Sequence, residues 1–281
     1  MSTRAVLGTF DGVHAGHRAL FLRACELSRG DGLTVVAIVI CRDGRAITDM
    51  YERVAMLRSA GAERVHLLEL ADVRHMSAAD FVDYISREYG VRAAVCGYDF
   101  RFGRDRCGSP ETLGALLPTE VVPEQRIDGV TVSSTAIREA LAQGRMEDAA
   151  KLLGRPYRLT GAVTHGKRLG STRGYPTANI PYPDGRAQLA RGVYFTRVIL
   201  GERSFNAVSN LGVCPTVQGE DTVVENHLLD FDGSLYGEQI TVEFLHYLRG
   251  EERFPDVDAL YGRIAADTEL AREYFNKREE K

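Results

Sequence analysis

Before residue 151 the chain contains no lysine; its four lysines are Lys151, Lys167, Lys277 and Lys281. Phosphate contacts in the first half therefore fall to arginine, histidine and backbone N–H groups. Cysteine is sparse too: Cys25, Cys41, Cys96, Cys107 and Cys214 are odd in number, lie far apart and form no C-x-x-C pair, so they read as free thiols rather than zinc ligands. No apolar run reaches the roughly 18 residues that a membrane span needs, and Met1 leads within a few residues into "RAVLGT" without a signal-peptide pattern. A cytoplasmic protein with no membrane partner is the expectation. The formal net charge is -4, which supplies no global basic field, so nucleic acid is not an expected partner and any anion binding is local. Internal repeats and low-complexity linkers are absent as well.

What is present is ordinary globular composition, 44% hydrophobic and 26% charged over 281 residues, enough for two modest domains. Up to about residue 153 short continuous apolar runs alternate with period-3.6 stripes: "RAVLGT" then "HRALFLRACELSR", "LTVVAIVI" then "ITDMYERVAMLRSAG", "RVHLLEL" then "SAADFVDYISREYG", then "RAAVCG". That is the βαβ pattern of a parallel sheet covered on both faces, an α/β domain whose ligands sit at the carboxyl ends of its strands. After "LLGRPYRLTG" the rhythm changes. "YRLTGAVTH", "VYFTRVIL", "SFNAVSN", "VENHLLDF" and "QITVEFLHYLR" read as strands separated by Gly, Asp, Asn and Pro clusters, with a hairpin at Gly201 and a final helix from about Pro255 to Lys277. The second half is thus expected to be all-β, a small antiparallel barrel closed by a C-terminal helix. The change of pattern divides the chain into residues 1–153 and 154–281.

"VLGTFDGVHAGHRAL" places His14 and His17 where the first strand hands over to a helix. First-turn N–H groups and the helix dipole favour an anion there, imidazole N–H donors reach phosphate oxygens, and Gly12 and Gly16 let the backbone come close. A turn merely capped by histidines is the alternative. In "VSSTAIREAL", Ser133, Ser134 and Thr135 offer hydroxyls and N–H groups at a helix start with Arg138 one turn inside, which makes either a second anion site or a simple N-cap. In "GYDFRFG", Asp99 accepts from a ribose or ring N–H and Phe100 and Phe102 wall a planar ligand, or else the aromatics are core and Asp99 a turn residue.

"GTFDGVHAGH" resembles the nucleotidyltransferase superfamily with an H-x-G-H motif, and its Phe, Asp and Gly resemble the flavin adenylyltransferase branch. "CGYDFRFGRDRCG" and "VSSTAIREAL" are similar to that branch's G-x-D-F-x-F-G and I-S-S-T-x-I-R elements. The resemblance implies a Rossmann-like domain in which His14, His17 and Arg138 are catalytic. It further implies that Gly8, Phe10, Gly12, Gly16, Ser134 and Thr135 bind nucleotide phosphates and that Asp99, Phe100 and Phe102 bind flavin. The family usually follows its second strand with a phenylalanine, a proline and a His-Pro pair, whereas here no proline or histidine occurs between Val35 and Thr48.

The second half resembles riboflavin kinase over most of its length. "GAVTHGKRLGSTRGYPTANI" is similar to the family's glycine-rich stretch and G-[FY]-P-T-A-N motif. Gly161, Gly166 and Gly170 permit backbone approach to phosphates, Lys167 adds charge beside them, and Thr177 and Asn179 offer neutral oxygens to a magnesium ion (Mg2+) that ATP also ligates. Barrel turns and a proline-bearing edge strand are the plainer readings. Ser171 stands where the family usually has arginine, with Arg168 and Arg173 nearby. "TVVENHLLDFDGSLYGEQITVEF" resembles the stretch holding the family's catalytic glutamate, here Glu225, an acid with no packing purpose in an apolar strand; His227 reads as structural. "YLRGEERFPDVDALYGRIAADTELAREYF" resembles the closing segment, so that Arg249, Glu252 and Phe254 border the flavin site or simply cap a helix.

Taken together the resemblances imply a bifunctional flavin-cofactor enzyme. ATP phosphorylates riboflavin to FMN in the barrel with Mg2+, and a second ATP adenylylates FMN to FAD in the first domain. A riboflavin kinase with an impaired or repurposed first domain is the alternative, raised by the missing His-Pro segment. A non-catalytic flavin-binding protein has no need of both Glu225 and a metal site. The expected partners are flavins and ATP, and the chain is expected to be a monomer or a weak homo-oligomer.

Overall fold

The computed structural model describes residues 2–164, 177–216 and 219–279. It divides into two compact units, one formed by Met1–Ile137 with Leu152–Gly154 and the other by Arg138–Lys151 with Arg155–Lys281.

In the first unit β1 (Thr3–Gly8), α1 (Ala15–Asp31), β2 (Thr34–Cys41), α2 (Met50–Ser59), β3 (Arg64–Glu69), α3 (Leu70–Val73), α4 (Ala78–Glu88), β4 (Val91–Gly97), α5 (Pro110–Leu116) and β5 (Thr119–Val122) alternate along the chain. The strands form one parallel sheet in the order β3-β2-β1-β4-β5. A short hairpin of β6 (Arg126–Ile127) and β7 (Val130–Thr131) follows, then α6 (Ser134–Ala142), which begins in this unit. Successive side chains of a strand face opposite ways. Ala5 and Leu7 of β1 accordingly join one core with Phe81, Val82 and Ile85 of α4 and Leu113 of α5, while Val6 joins another with Leu20, Phe21 and Ala24 of α1 and Leu57 of α2. With helices on both faces β2 is buried along its whole length, which is why it reads as an unbroken apolar run.

In the second unit α7 (Met146–Leu153) begins, followed by β8 (Tyr157–Ala162), β9 (Ala178–Pro181), β10 (Gly192–Leu200), β11 (Arg203–Thr216), β12 (Gly219–Leu228), β13 (Gln239–Arg249) and α8 (Val257–Glu279). The six strands are antiparallel in the order β8-β13-β10-β11-β12-β9. Beyond β8, Thr164 bridges to Asn179 of β9, its N–H donating to the Asn179 carbonyl at 2.8 Å, and this joins the sheet's two ends into a near-barrel. β10 and β11 meet in a two-residue loop, Gly201-Glu202, in which Gly201 has φ +58° as the first position of a II′ hairpin requires. α8 covers one outer face by packing Ala271 and Phe275 on Phe195, with Val208, Leu245 and Leu248 beside them.

The barrel interior is not wholly apolar. Thr196, Ser209 and Asn226, each fully buried, form a chain: the two hydroxyls lie 2.6 Å apart, Ser209 donates to Asn226 Oδ1 at 2.6 Å, and Asn226 Nδ2 donates to the Ala178 carbonyl at 2.8 Å. The chain crosses from β10 to β9 and ties the edge strand to its neighbour. Asn226→Ala removes two buried hydrogen bonds, the one it accepts from Ser209 and the one it donates to the Ala178 carbonyl, and we expect chemical denaturation of the variant to show a loss of about 2–3 kcal/mol.

Candidate active sites

β1 ends at Gly8 in the middle of the parallel sheet, and the next six residues form a tight turn onto α1. The turn takes unusual backbone angles: φ is +51° at Phe10, +81° at Gly12 and +40° at Val13. Only Gly12 adopts such angles cheaply, and a Cβ there would press on Ile47 at 3.1 Å and Leu153 at 3.3 Å. Asp11, buried between Phe10 and Gly12, holds the turn. Its Oδ1 accepts from Ile47 N–H at 2.8 Å and from Arg53 Nη2 at 3.1 Å, while its backbone carbonyl accepts from Ser134 Oγ at 3.0 Å. Arg53, itself 6% exposed, also donates to the carbonyls of Thr9 and Thr48 at 3.1 Å. Thr48 Oγ1 accepts from Gly12 N–H at 3.3 Å, so the short loop after β2 closes on the turn.

His14 caps α1. Its Nδ1 accepts from His17 N–H at 3.3 Å, which leaves the ring proton on Nε2. The two imidazoles stack with centroids 3.5 Å apart and 17° between planes, and Phe10 meets His17 edge-on at 5.2 Å. Gly16 is close by, where a Cβ would come within 3.2 Å of His14 Nδ1. The Nδ1 of His17 is buried with no hydrogen-bond partner among the described residues. Burial, then His14, Arg53 and Arg18, hold the His17 pKa well below the ordinary 6.5, so this ring is neutral at pH 7. Arg18 lies over the same turn and donates to the carbonyls of Leu153 at 2.8 Å and Val13 at 3.4 Å. Gly8 faces the Phe10 ring, 3.1 Å from where its Cβ would stand.

Ser133 caps α6 by accepting from Ala136 N–H at 3.2 Å; Thr135 is exposed and Arg138 half-buried, one turn beyond Ser134. Past β4, Asp99 is exposed, Phe100 is half-buried, and Phe102, 6% exposed, lies in the core against Phe81. Phe100 stacks on Phe102 with centroids 5.6 Å apart, so the core ring backs the more open one.

In the second unit Glu225 of β12 is in direct register with Asn179 of β9 on one side and Asn210 of β11 on the other. Asn226 points into the barrel, so Glu225 projects from the opposite, outer face. Asn179 is 5% exposed, yet its Oδ1 has no hydrogen-bond partner among the described residues. Thr177 is exposed two residues before it, and His227 is half-buried. Gly161 lies within β8 opposite Ile240, where a Cβ would touch Ile180 at an ordinary 3.5 Å. Gly166, Lys167 and Gly170, with Arg168, Ser171 and Arg173, lie outside the described residues. Arg249 at the end of β13 is gripped by Asp267 of α8, with Nη2 to Oδ2 at 2.6 Å and Nε to Oδ2 at 3.1 Å. Phe254 is half-buried between that strand and α8.

Two known families match the chain, FAD synthetase over residues 2–136 and riboflavin kinase over residues 153–275. The bifunctional riboflavin kinase/FMN adenylyltransferase of Pseudomonas fluorescens is 38% identical, over 95% of this chain and 91% of that protein. The chain belongs to this bifunctional family. The Escherichia coli K12 member is 36% identical over 96% of the chain and 91% of its own length. A crystal structure from Streptococcus pneumoniae, described as a macrolide-efflux protein, superposes with a TM-score of 0.89 at 31% identity, covering 96% of this chain and 94% of that one. Among the described residues no helix is long and apolar enough to cross a membrane.

For this bifunctional family member, sequence reasoning missed Arg53, Thr48 and Asp267. Arg53 did leave a signal: it stands four residues before Leu57 on the stripe of α2 that faces the sheet, where a charge demands a partner. The pairings of Thr48 and Asp267 are long-range and leave no local trace.

The depressed His17 pKa has a direction to check. The unfolded chain protonates this ring near 6.5 and the folded chain only at lower pH, so the unfolded state binds more protons in between and stability falls as pH drops through that window. In an NMR titration the His17 ring should still be neutral at pH 6, while an ordinary exposed histidine is mostly charged.

Proposed function

We propose that the second unit transfers the γ-phosphoryl group of ATP to the riboflavin 5′-hydroxyl and that the first unit joins the resulting FMN to AMP, with residues 1–153 and 154–281 as the working division. The family membership carries the pair of reactions. The direct register of Asn179 with Glu225 carries the residue assignment for the kinase, because it sets a carboxylate beside a buried amide oxygen that has no hydrogen-bond partner among the described residues.

At the kinase site Glu225 accepts the proton of the 5′-hydroxyl as the oxygen bonds to the γ-phosphorus and ADP leaves. Thr177 and Asn179 fit Mg2+: both offer neutral oxygens, and Asn179 Oδ1 is a buried acceptor awaiting a charge. Bound there, Mg2+ would neutralise phosphate charge. Gly161, Gly166, Lys167 and Gly170 form the proposed phosphate loop, and Arg249 and Phe254 border the flavin, with Arg249 oriented by Asp267.

At the adenylylation site an FMN phosphate oxygen attacks the ATP α-phosphorus and pyrophosphate leaves. The attacking group is already ionised at neutral pH, so the site's work is positioning and electrostatics. His14 and a neutral His17 act as hydrogen-bond donors to the transferring phosphate, together with Ser134, Thr135 and Arg138. Gly8, Phe10, Gly12 and Gly16 let the nucleotide approach the turn, and Asp99 and Phe100, backed by Phe102, receive the flavin.

Incubation with riboflavin, ATP and Mg2+, followed by chromatography, separates the two roles. Glu225→Gln should lose FMN formation by about 100-fold or more while still converting supplied FMN to FAD. His17→Ala should accumulate FMN and make little FAD. One substitution abolishing both reactions in a folded protein would count against two sites.

A further inference from the structure

The polar chain inside the barrel, Thr196–Ser209–Asn226, has a direction and an end point. Burying three polar side chains stabilises little compared with an apolar interior of the same shape, so such a chain is best accounted for by what it specifies. Asn226 Nδ2 lies 2.8 Å from the Ala178 carbonyl and 3.2 Å from that of Val224. Both carbonyls only accept, so the amide oxygen is forced to face Ser209. Ser209 gives its one proton to that oxygen at 2.6 Å, and Thr196, 2.6 Å away, therefore donates to Ser209.

The chain ends on the strand that carries Asn179. The Asn179 carbonyl is turned away from β12, accepting from Thr164 N–H at 2.8 Å, whereas Tyr182 N–H donates toward β12, to the Thr222 carbonyl at 2.8 Å. Backbone groups alternate in direction along an antiparallel strand, so Ala178, Ile180 and Tyr182 face β12. Asn179 and Glu225 are then a non-hydrogen-bonded pair, the kind whose side chains stand closest. A slip of β9 by one residue would turn Asn179 into the barrel, and a slip by two would put Thr177 or Pro181 opposite Glu225. In a strand of four residues the backbone ladder resists such slips weakly, and the bond from Asn226 to Ala178 is made in one register.

We propose that Asn226 is a positioning residue for the kinase reaction. Its amide, aimed by Thr196 and Ser209, locks β9 in the register that sets Asn179 against Glu225, as one buried asparagine can fix the register of a coiled coil. The inference rests on Asn179 as a Mg2+ ligand and on Glu225 receiving the 5′-hydroxyl proton. The lock acts from inside the barrel on groups that face outward. It touches neither substrate nor metal, so its loss is read as weaker metal binding and a looser β9.

The test uses the full chain with Ser209→Ala and Asn226→Val combined, which makes the interior apolar at similar volume and so keeps stability near that of wild type. The Mg2+ concentration for half-maximal riboflavin phosphorylation should rise about ten-fold, and calorimetric affinity for ADP with Mg2+ should fall about ten-fold. In the ligand-free protein the β9 amides should exchange faster while the other barrel strands keep their rates. Conversion of supplied FMN to FAD should stay at the wild-type value. A wild-type Mg2+ requirement or wild-type exchange at β9 would overturn the proposal, and so would faster exchange throughout the barrel, the mark of a merely loosened core. Ser209→Ala alone keeps Asn226 but lets its amide turn; it should show the same changes to a smaller degree and decides the matter if the double variant does not fold. If Asn179→Ala leaves the Mg2+ requirement unchanged, it is the reading of Asn179 that fails, and exchange at β9 judges the lock by itself.

Discussion

The buried ion pair between Asp11 and Arg53 is what the H-x-G-H turn is built on. The turn that carries the two histidines bends through positive φ at Phe10 and at the β-branched Val13, conformations that cost about 1–3 kcal/mol each and persist only where the surroundings over-determine them. Asp11 supplies that determination: it gathers the loop after β2, the buried guanidinium of α2 and the Ser134 hydroxyl onto one residue between the strained positions. A buried pair of this kind is weak evidence for stability, because desolvating both charges offsets most of their attraction. Its return is geometric, and the positive field of Arg53 also helps keep His17 uncharged.

That geometry bears on the loop after β2. Where relatives usually have a proline and a His-Pro pair, this chain turns back through Ile47 and Thr48, whose backbone and hydroxyl bond the H-x-G-H turn directly. The loop serves as a brace for the turn.

The sheet alternation was readable because it follows from burial. β2 is covered on both faces and so is apolar throughout, and α4 carries its stripe of Phe81, Val82 and Ile85 toward one face only. β5, at the sheet's edge with Thr119 and Glu120 in four residues, lacks that signature. The candidate residues were legible as motifs, but their juxtaposition was not. Asn179 and Glu225 are far apart in sequence and meet through β9–β12 register, which no local pattern encodes. Phe102 shows the limit from the other side: a motif aromatic and a core aromatic look alike until the packing against Phe81 is seen.

The strand bearing Asn179 is also the barrel's seam. β9 has four residues, pairs with β12 along one edge, and on the other edge has, among the described residues, one bridge, to Thr164. Among the described residues opening it breaks few hydrogen bonds, so amide exchange by local unfolding is cheap there. Any ligand that draws on Asn179 lends its binding energy to the seam, in proportion to the logarithm of its concentration over its Kd. Such a ligand would act as a stitch: the filled barrel would exchange more slowly at β9 than the empty one.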